Sequence, residues 1–246
     1  MYYETPELLQ AAIDNDFEAL KRAHAKGADV NESTKSGTSP LIYASQNNNL
    51  EMVRFLVEHG SDVNQKNKIG GSALNRAAQT GNIPMMKLLL EKGAEIGPLA
   101  VIGAAREGHL KAVRFLMEHG ADINAKNNWG QTALMLAAKE GHIPVVRFLI
   151  ANGADIRDSD KNNDTALNIA NDNEQPEVAM LLRRAGATDA KPKKKKVEEK
   201  VADDDEEDDT LADVEEVEVE GEADSSSDDD DELENIPAEE EDDDED

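Results

Sequence analysis

Along most of the chain, apolar residues come in paired short clusters divided by polar stretches. One pair reads "TALMLAAKEG" at 132–141 and "IPVVRFLIANG" at 143–153. The first predicts a short helix closed by Gly141. The second predicts another helix, with Pro144 tolerated in its first turn and Gly153 suited to a left-handed C-cap. Three second helices share a core string: Val53-Arg54-Phe55-Leu56, Val113-Arg114-Phe115-Leu116 and Val146-Arg147-Phe148-Leu149. Val, Phe and Leu at i, i+2 and i+3 predict an apolar face against a neighbouring unit, with the arginines in water. Three of the four Phe thereby receive a core role. Between helix pairs lie polar loops such as "NQKNKIGG" and "NAKNNWGQ". Gly70 and Gly130 stand in them where a tight reversal needs positive φ. The predicted unit is a β-hairpin-like finger followed by two antiparallel helices.

The pattern repeats. Small residues mark a period at Ala11, Ala44, Ala77, Ala104, Ala137 and Ala170, with steps of 33, 33, 27, 33 and 33. Gly27, Gly60, Gly93, Gly120, Gly153 and Gly186 step by the same intervals. Two landmark series with one shared short step identify a solenoid of six units. The short step lies in "KGAEIGPLAVIGAAREGH" (92–109), set against "HGADINAKNNWGQTALMLAAKEGH" (119–142). The six lost residues are the finger of the fourth unit. After Ile96 the chain turns at Gly97 and enters a helix at Pro98, a favoured first helical position. Two readings stay open here: a tolerated surface-loop deletion, or a notch between the tips near Ile69 and Trp129 that admits a partner segment.

These units resemble the ankyrin repeat. "SPLIYA" (Ser39 to Ala44) and "TALMLAA" (Thr132 to Ala138) stand where that family has its Thr-Pro-Leu-His-x-Ala signature. "EGH", "GADIN" and "GSDVN" stand at its helix turn and strand entry. The resemblance covers about residues 5–188. It implies an all-α repeat solenoid of stacked helix–turn–helix units, and a protein-binding role. Ile42, Asn75, Ile102, Met135 and Asn168 replace the signature His, which removes a buried hydrogen-bond network frequent in the family. The first unit begins at Pro6 without a finger, and the sixth carries Arg183 and Arg184 in its last helix. Those ends read as the solvent-facing caps that a solenoid requires.

Charge divides the chain. Residues 1–190 hold 20 basic and 24 acidic residues, a net of −4, whereas 191–246 hold 6 lysines and 30 acidic residues, a net of −24. Blocks such as "DDDEEDD" and "EEEDDDED" repel and bury little apolar area. Residues 1–189 are therefore expected to form the repeat domain, and 190–246 a disordered tail with a lysine cluster at 191–196 and acidic residues over 198–246. "PKKKKV" (Pro192, Lys193, Lys194, Lys195, Lys196, Val197) resembles a monopartite nuclear localisation signal, with a solvated linker as the other reading. Thr210, Ser225, Ser226 and Ser227 each have aspartate three residues on and resemble sites of acid-directed kinases.

Several function classes are expected to be absent. The chain has no cysteine, which removes disulfides, thiolate nucleophiles and Cys-ligated zinc. The start lacks the pattern of a signal peptide, and "GPLAVIGAA" is far short of the roughly 20 residues that span a bilayer. An intracellular protein, cytoplasmic or nuclear, is expected. His24, His59, His109, His119 and His142 form no His-x-x-x-His pair, and there is no phosphate loop. No catalytic residue, cofactor or metal site is assigned. The acidic tail would repel nucleic acid. The expected function is protein binding by a monomeric adaptor, through a concave face and finger tips made of Lys68, Ile69, Gln79, Thr80, Arg106, Glu107, Asn128, Trp129, Lys139 and Glu140. An alternative is a carrier of a basic client, histone-like or ribosomal-protein-like, that uses the acidic tail. Trp129, the only tryptophan, is either a contact residue or a filler folded over the missing finger.

Overall fold

The computed structural model describes residues 5–188, which hold twelve helices in consecutive pairs. The pairs are α1 (Glu7–Ile13) with α2 (Phe17–Ala25), α3 (Pro40–Gln46) with α4 (Leu50–Glu58), and α5 (Ala73–Gln79) with α6 (Ile83–Glu91). They continue as α7 (Pro98–Arg106) with α8 (Leu110–Glu118), α9 (Ala133–Glu140) with α10 (Ile143–Ala151), and α11 (Ala166–Asp172) with α12 (Pro176–Arg184). The first helices pack in file, α1 on α3, α3 on α5 and so on to α11. The second helices from α4 to α12 form a parallel row behind them. The domain boundary expected at 189/190, the lysine cluster, Thr210, Ser225, Ser226 and Ser227 lie outside the described residues.

Local sequence explains the helix ends. Ser39, Ser72, Thr132 and Thr165 each accept a hydrogen bond from the N–H three residues on, at Ile42, Asn75, Met135 and Asn168. Asp16, Asn49 and Asn82 do the same for α2, α4 and α6. Such caps satisfy an orphan helix N–H and contribute about 1 kcal/mol each. Gly141 closes α9 at φ 78°, and Gly153 follows α10 at φ 88°. Pro98 does open α7, and Gly97 before it is extended at φ −96°.

The periodic alanines lie between the helices. Ala11, Ala44, Ala77, Ala104, Ala137 and Ala170 are all buried, and their small side chains let successive first helices approach closely. Leu56, Leu116 and Leu149 seal the second row, each contributing about 2 kcal/mol by burial. The phenylalanines correct the sequence reading. Phe115 is buried, but Phe55 and Phe148 are only half-buried at the edge of the core. The cause is helical geometry. At about 100° per residue, position i+2 lies about 160° round the helix from i and about 100° from i+3, on the flank rather than the seam. Phe55 there meets Phe17, His24 and His59. The exposed Arg114 lays its guanidinium 4.7 Å from the Phe148 ring centre.

The fingers are turns rather than paired strands. Among the described residues the one bridge of strand type joins Ser159 to Thr165. Each tip instead closes with two backbone bonds: Gly37 N–H to Thr34 and Thr34 N–H to Thr38, then Gly70 to Asn67 and Asn67 to Gly71. Gly130 to Asn127 with Asn127 to Gln131, and Asn163 to Asp160 with Asp160 to Asp164, repeat the motif. Gly70 and Gly130 have φ 80° and 78°, as the tight reversal requires.

Candidate partner-binding notch

Finger tips on either side of the short unit share a register in which Ser36, Ile69, Trp129 and Asn162 correspond. Where two full fingers are adjacent, the later one donates to the earlier. Lys68 N–H bonds to the Ser36 carbonyl at 2.9 Å, and Lys161 N–H to the Trp129 carbonyl at 3.0 Å. Gly97 interrupts this series. The positions matching 65–70 are missing between Gly97 and Pro98, so the fingers ending at Gly71 and starting near Asn124 are not joined by a tip bond. A notch opens there.

Asparagine stitches between finger bases show the same interruption. Asn31 donates to the Gly60 carbonyl and accepts from Asp62 N–H. Asn64 does so with Gly93 and Glu95, and Asn124 accepts from Asp155 N–H. The corresponding residue in the short unit is Gly97, which has no side chain to reach forward.

Two cavities fill the notch. One, of about 180 Å³, lies between Ile69, Gly70, Pro98, Leu99, Lys126 and Asn128. The other, of about 250 Å³, lies between Ile69, Arg76, Gln79, Leu99, Arg106 and Trp129. Ile69 is 66% exposed and Trp129 64% exposed. Trp129 therefore does not fold over the vacancy. Its main chain is held by Asn127, whose Oδ1 accepts from Trp129 N–H at 2.9 Å, while its side chain stands out from the tip.

A family model described as "Ankyrin repeats (3 copies)" matches residues 8–99 and again 101–194. The chain belongs to the ankyrin repeat family. The crystal structure of the human ASB11 ankyrin repeat domain is similar at 27% identity and a TM-score of 0.65, covering 75% of this chain and 85% of that one. The ankyrin repeat protein EF0377 is similar at 31% identity and a TM-score of 0.61, covering 74% and 98% respectively. No curated protein matches the sequence. Ankyrin repeats are protein–protein interaction modules and a non-catalytic fold. Among the described residues, no group of three or more potential metal ligands occurs and no helix is long and apolar enough to cross a membrane.

In this ankyrin array the expected contact residues separate into groups. Ile69, Gln79, Arg106, Asn128 and Trp129 line the notch. Lys68, Glu107, Lys139 and Glu140 are exposed but line neither cavity. Thr80 is half-buried and turned inward, its hydroxyl donating to the Ala77 carbonyl at 3.1 Å. Gln79 is held too: Arg76 Nη1 donates to it at 2.8 Å, and its Cγ lies 2.7 Å from where a Cβ on Gly103 would be. Arg106 is tied to Glu107 by Nε and Nη2 at 2.9 and 2.7 Å.

Sequence reasoning missed Asn75, Arg76 and Leu99. Asn75 is 5% exposed, and its Nδ2 donates to the Gly70 carbonyl at 3.2 Å, but its Oδ1 has no partner. Arg76 Nε is likewise buried without a partner. The signal was present in the register. Asn75 replaces the family His in the unit just before the gap, and Leu99 stands at the N-cap position filled elsewhere by Ser72 or Thr132.

The histidines are structural. His142 Nε2 meets the Arg106 carbonyl at 2.8 Å, and its ring occupies the space that a side chain on Gly108 would need. His109 packs on Gly81 in the same way.

Proposed function

We propose that this ankyrin protein is a non-enzymatic adaptor that holds a protein partner on its finger tips and the adjoining ends of its first helices. The observation that carries the reading is the pair of exposed apolar side chains, Ile69 and Trp129, at equivalent positions on tips whose register mates are Ser36 and Asn162. Folding does not require an apolar residue there, and tryptophan is enriched where interfaces concentrate their energy. Stacked repeats hold such a surface rigid, so binding loses little conformational entropy. The remaining contact set is Lys68, Gln79, Arg106, Glu107, Asn128, Lys139 and Glu140. Thr80 contributes by shape, since its hydroxyl is already used.

The test is quantitative affinity capture with the full chain and with an Ile69→Ser/Trp129→Ser variant. The reading expects the same captured proteins to fall together in the variant while its thermal melt is unchanged. Equal recovery by both proteins overturns it.

The net charge of −24 over residues 191–246 favours a second activity: shielding of a basic client by the tail. Capture that falls steeply with salt supports this carrier role, and salt-insensitive capture leaves the adaptor alone. The cluster Pro192–Val197 serves nuclear entry in this reading. Alanine at Lys193, Lys194, Lys195 and Lys196 should move a fusion too large for passive entry to the cytoplasm, and an unchanged distribution would sink that role.

A further inference from the structure

The notch is more than a gap, because the groups that the missing finger would have engaged are still in place. In the intact finger pairs, an N–H at the Lys68 or Lys161 position meets the carbonyl of the preceding tip. Carried across the gap, this register leaves the Ile69 carbonyl without its donor and the Asn128 N–H without its acceptor. Neither group has another hydrogen bond. Between them lie Leu99, whose Cδ1 is 3.6 Å from where a Cβ on Gly70 would be, and the exposed Ile69 and Trp129 side chains. On the floor, the buried Asn75 Oδ1 and Arg76 Nε both lack a partner. A buried unpaired polar atom is costly, and here two of them belong to side chains that line the same cavity, Asn75 and Arg76.

We propose that a turn from another protein fills this place in trans, as a substitute finger. The proposal rests on the adaptor reading and specifies its central contact. The occupant is an Asn-x-x-Gly type turn, the chemistry of the chain's own tips. Its second residue donates N–H to the Ile69 carbonyl, and its third offers its carbonyl to Asn128 N–H. The third side chain is aliphatic and rests on Leu99 between Ile69 and Trp129. This is recognition by main-chain addition at an open edge.

Charge selects the flanks. Lys66, Lys126, Arg76 and Arg106 line the two cavities against Glu95 as the one acidic residue. Lys66 and Glu95 are 3.9 Å apart, and Lys126 and Arg106 are paired with Asp158 and Glu107. The wall stays net positive even so, because Arg76 is bonded to the neutral Gln79. The partner turn is therefore acidic, and it belongs to another protein, because each of the chain's own tips already has one of the two required groups bonded to a neighbouring tip: the Ser36 and Trp129 carbonyls, and the Lys68 and Lys161 N–H groups.

The probe is a head-to-tail cyclised hairpin peptide presenting Asn-Glu-Leu-Gly, with glutamates on both flanking strands. It is titrated against the full chain through Trp129 emission. Binding should be saturable below 1 mM. It should weaken at least tenfold when the amide of the turn glutamate is N-methylated, which leaves the protein untouched, and at least tenfold when the flanks are lysine. A protein with a copy of residues 65–70 inserted between Gly97 and Pro98, its fold verified by circular dichroism, should not bind. Amide exchange at Asn128 should be fast in the free chain, relative to Lys68 and Lys161, and slow with the peptide. Equal binding of the N-methylated peptide, or of the notch-filled protein, overturns the proposal. So does the absence of saturable binding. Self-association of the full chain that the insertion abolishes would also overturn it, by putting a second copy in place of the acidic partner. The adaptor reading fails separately, in the capture experiment with the Ile69→Ser/Trp129→Ser variant.

Discussion

Trp129 and Ile69 hold matching places on tips either side of Gly97, and both side chains point away from the core. Their backbones do the structural work: Asn127 Oδ1 receives Trp129 N–H, and the Trp129 carbonyl receives Lys161 N–H. Removing the indole leaves both bonds intact. Trp129→Ala should therefore leave the melting temperature within about 2 °C, since exposed substitutions change stability by about half a kcal/mol or less. Emission of the free protein should be that of a solvated indole. A blue-shifted spectrum or a large drop in melting temperature would show that the side chain packs into the notch after all. Gly108 makes the opposite case. It has φ 76°, and a Cβ there would sit 2.7 Å from the His142 ring. Gly108→Ala combines backbone strain with that clash and should cost about 2 kcal/mol or more. Chemical denaturation checks this, and a midpoint equal to that of the parent would contradict it. The two residues differ in how legible they were. The register shows that an apolar residue is not needed at Trp129 for folding, but only the fold shows that its ring stays exposed at the notch rim.

At the scale of single elements, the helix pairs and their ends could be read from the chain, because each cap is a local event. Pro98 at the start of α7, Gly141 after α9 and the left-handed Gly153 all fall where the pattern put them. The Phe55 and Phe148 positions were read as core because i+2 and i+3 look adjacent in sequence, whereas helical rotation parts them. The hairpin-like fingers are legible too, whereas the bridges from one finger to the next depend on stacking and are not. The notch floor was illegible for the same reason: Asn75 and Arg76 matter there only because the next finger is short. Two predictions belong at this scale. Asn82 Oδ1 caps α6 through Met85 N–H at 2.9 Å, and its Nδ2 donates to Asn48 Oδ1 in the preceding unit at 2.7 Å. Asn82→Ala should cost about 1–2 kcal/mol in urea unfolding, and a smaller loss than for an exposed control would refute the dual role. Gly97 caps α7 without a side-chain bond, at ordinary φ and with open space around its Cβ position. Gly97→Asp should raise stability by about 0.5–1 kcal/mol, by adding a cap and restricting the unfolded chain. An unchanged unfolding midpoint would show that the α7 end is satisfied otherwise.

For the whole array, stability is a sum of unit terms and junction terms, and the junctions are unequal. Between the fingers that precede α3 and α5 there are two bonds from Asn31 and a tip bond from Lys68. Between those that precede α9 and α11 there are the Asn124 bond, the Lys161 tip bond and the Lys126–Asp158 pair. The junction from α7/α8 to α9/α10 has neither, because Gly97 supplies no stitch and the truncated finger has no tip. It rests on packing of α7 against α9, on contacts between α8 and α10, and on the His142 bond to the Arg106 carbonyl. At about 0.5–1.5 kcal/mol per net hydrogen bond, that seam is weaker than its neighbours by about 2 kcal/mol. Among the units that follow the fingerless first one, the fold should open there first. Native-state hydrogen exchange followed by mass spectrometry should show amides of α9 to α12 exchanging through an opening that leaves α1 to α8 protected. A partner turn seated in the notch would bridge Ile69 and Asn128 across the seam and should raise that opening energy selectively, coupling binding to the cohesion of the array. One global opening for all helices, unaffected by the seated turn, would show that packing of α7 on α9 alone makes the seam as strong as the rest.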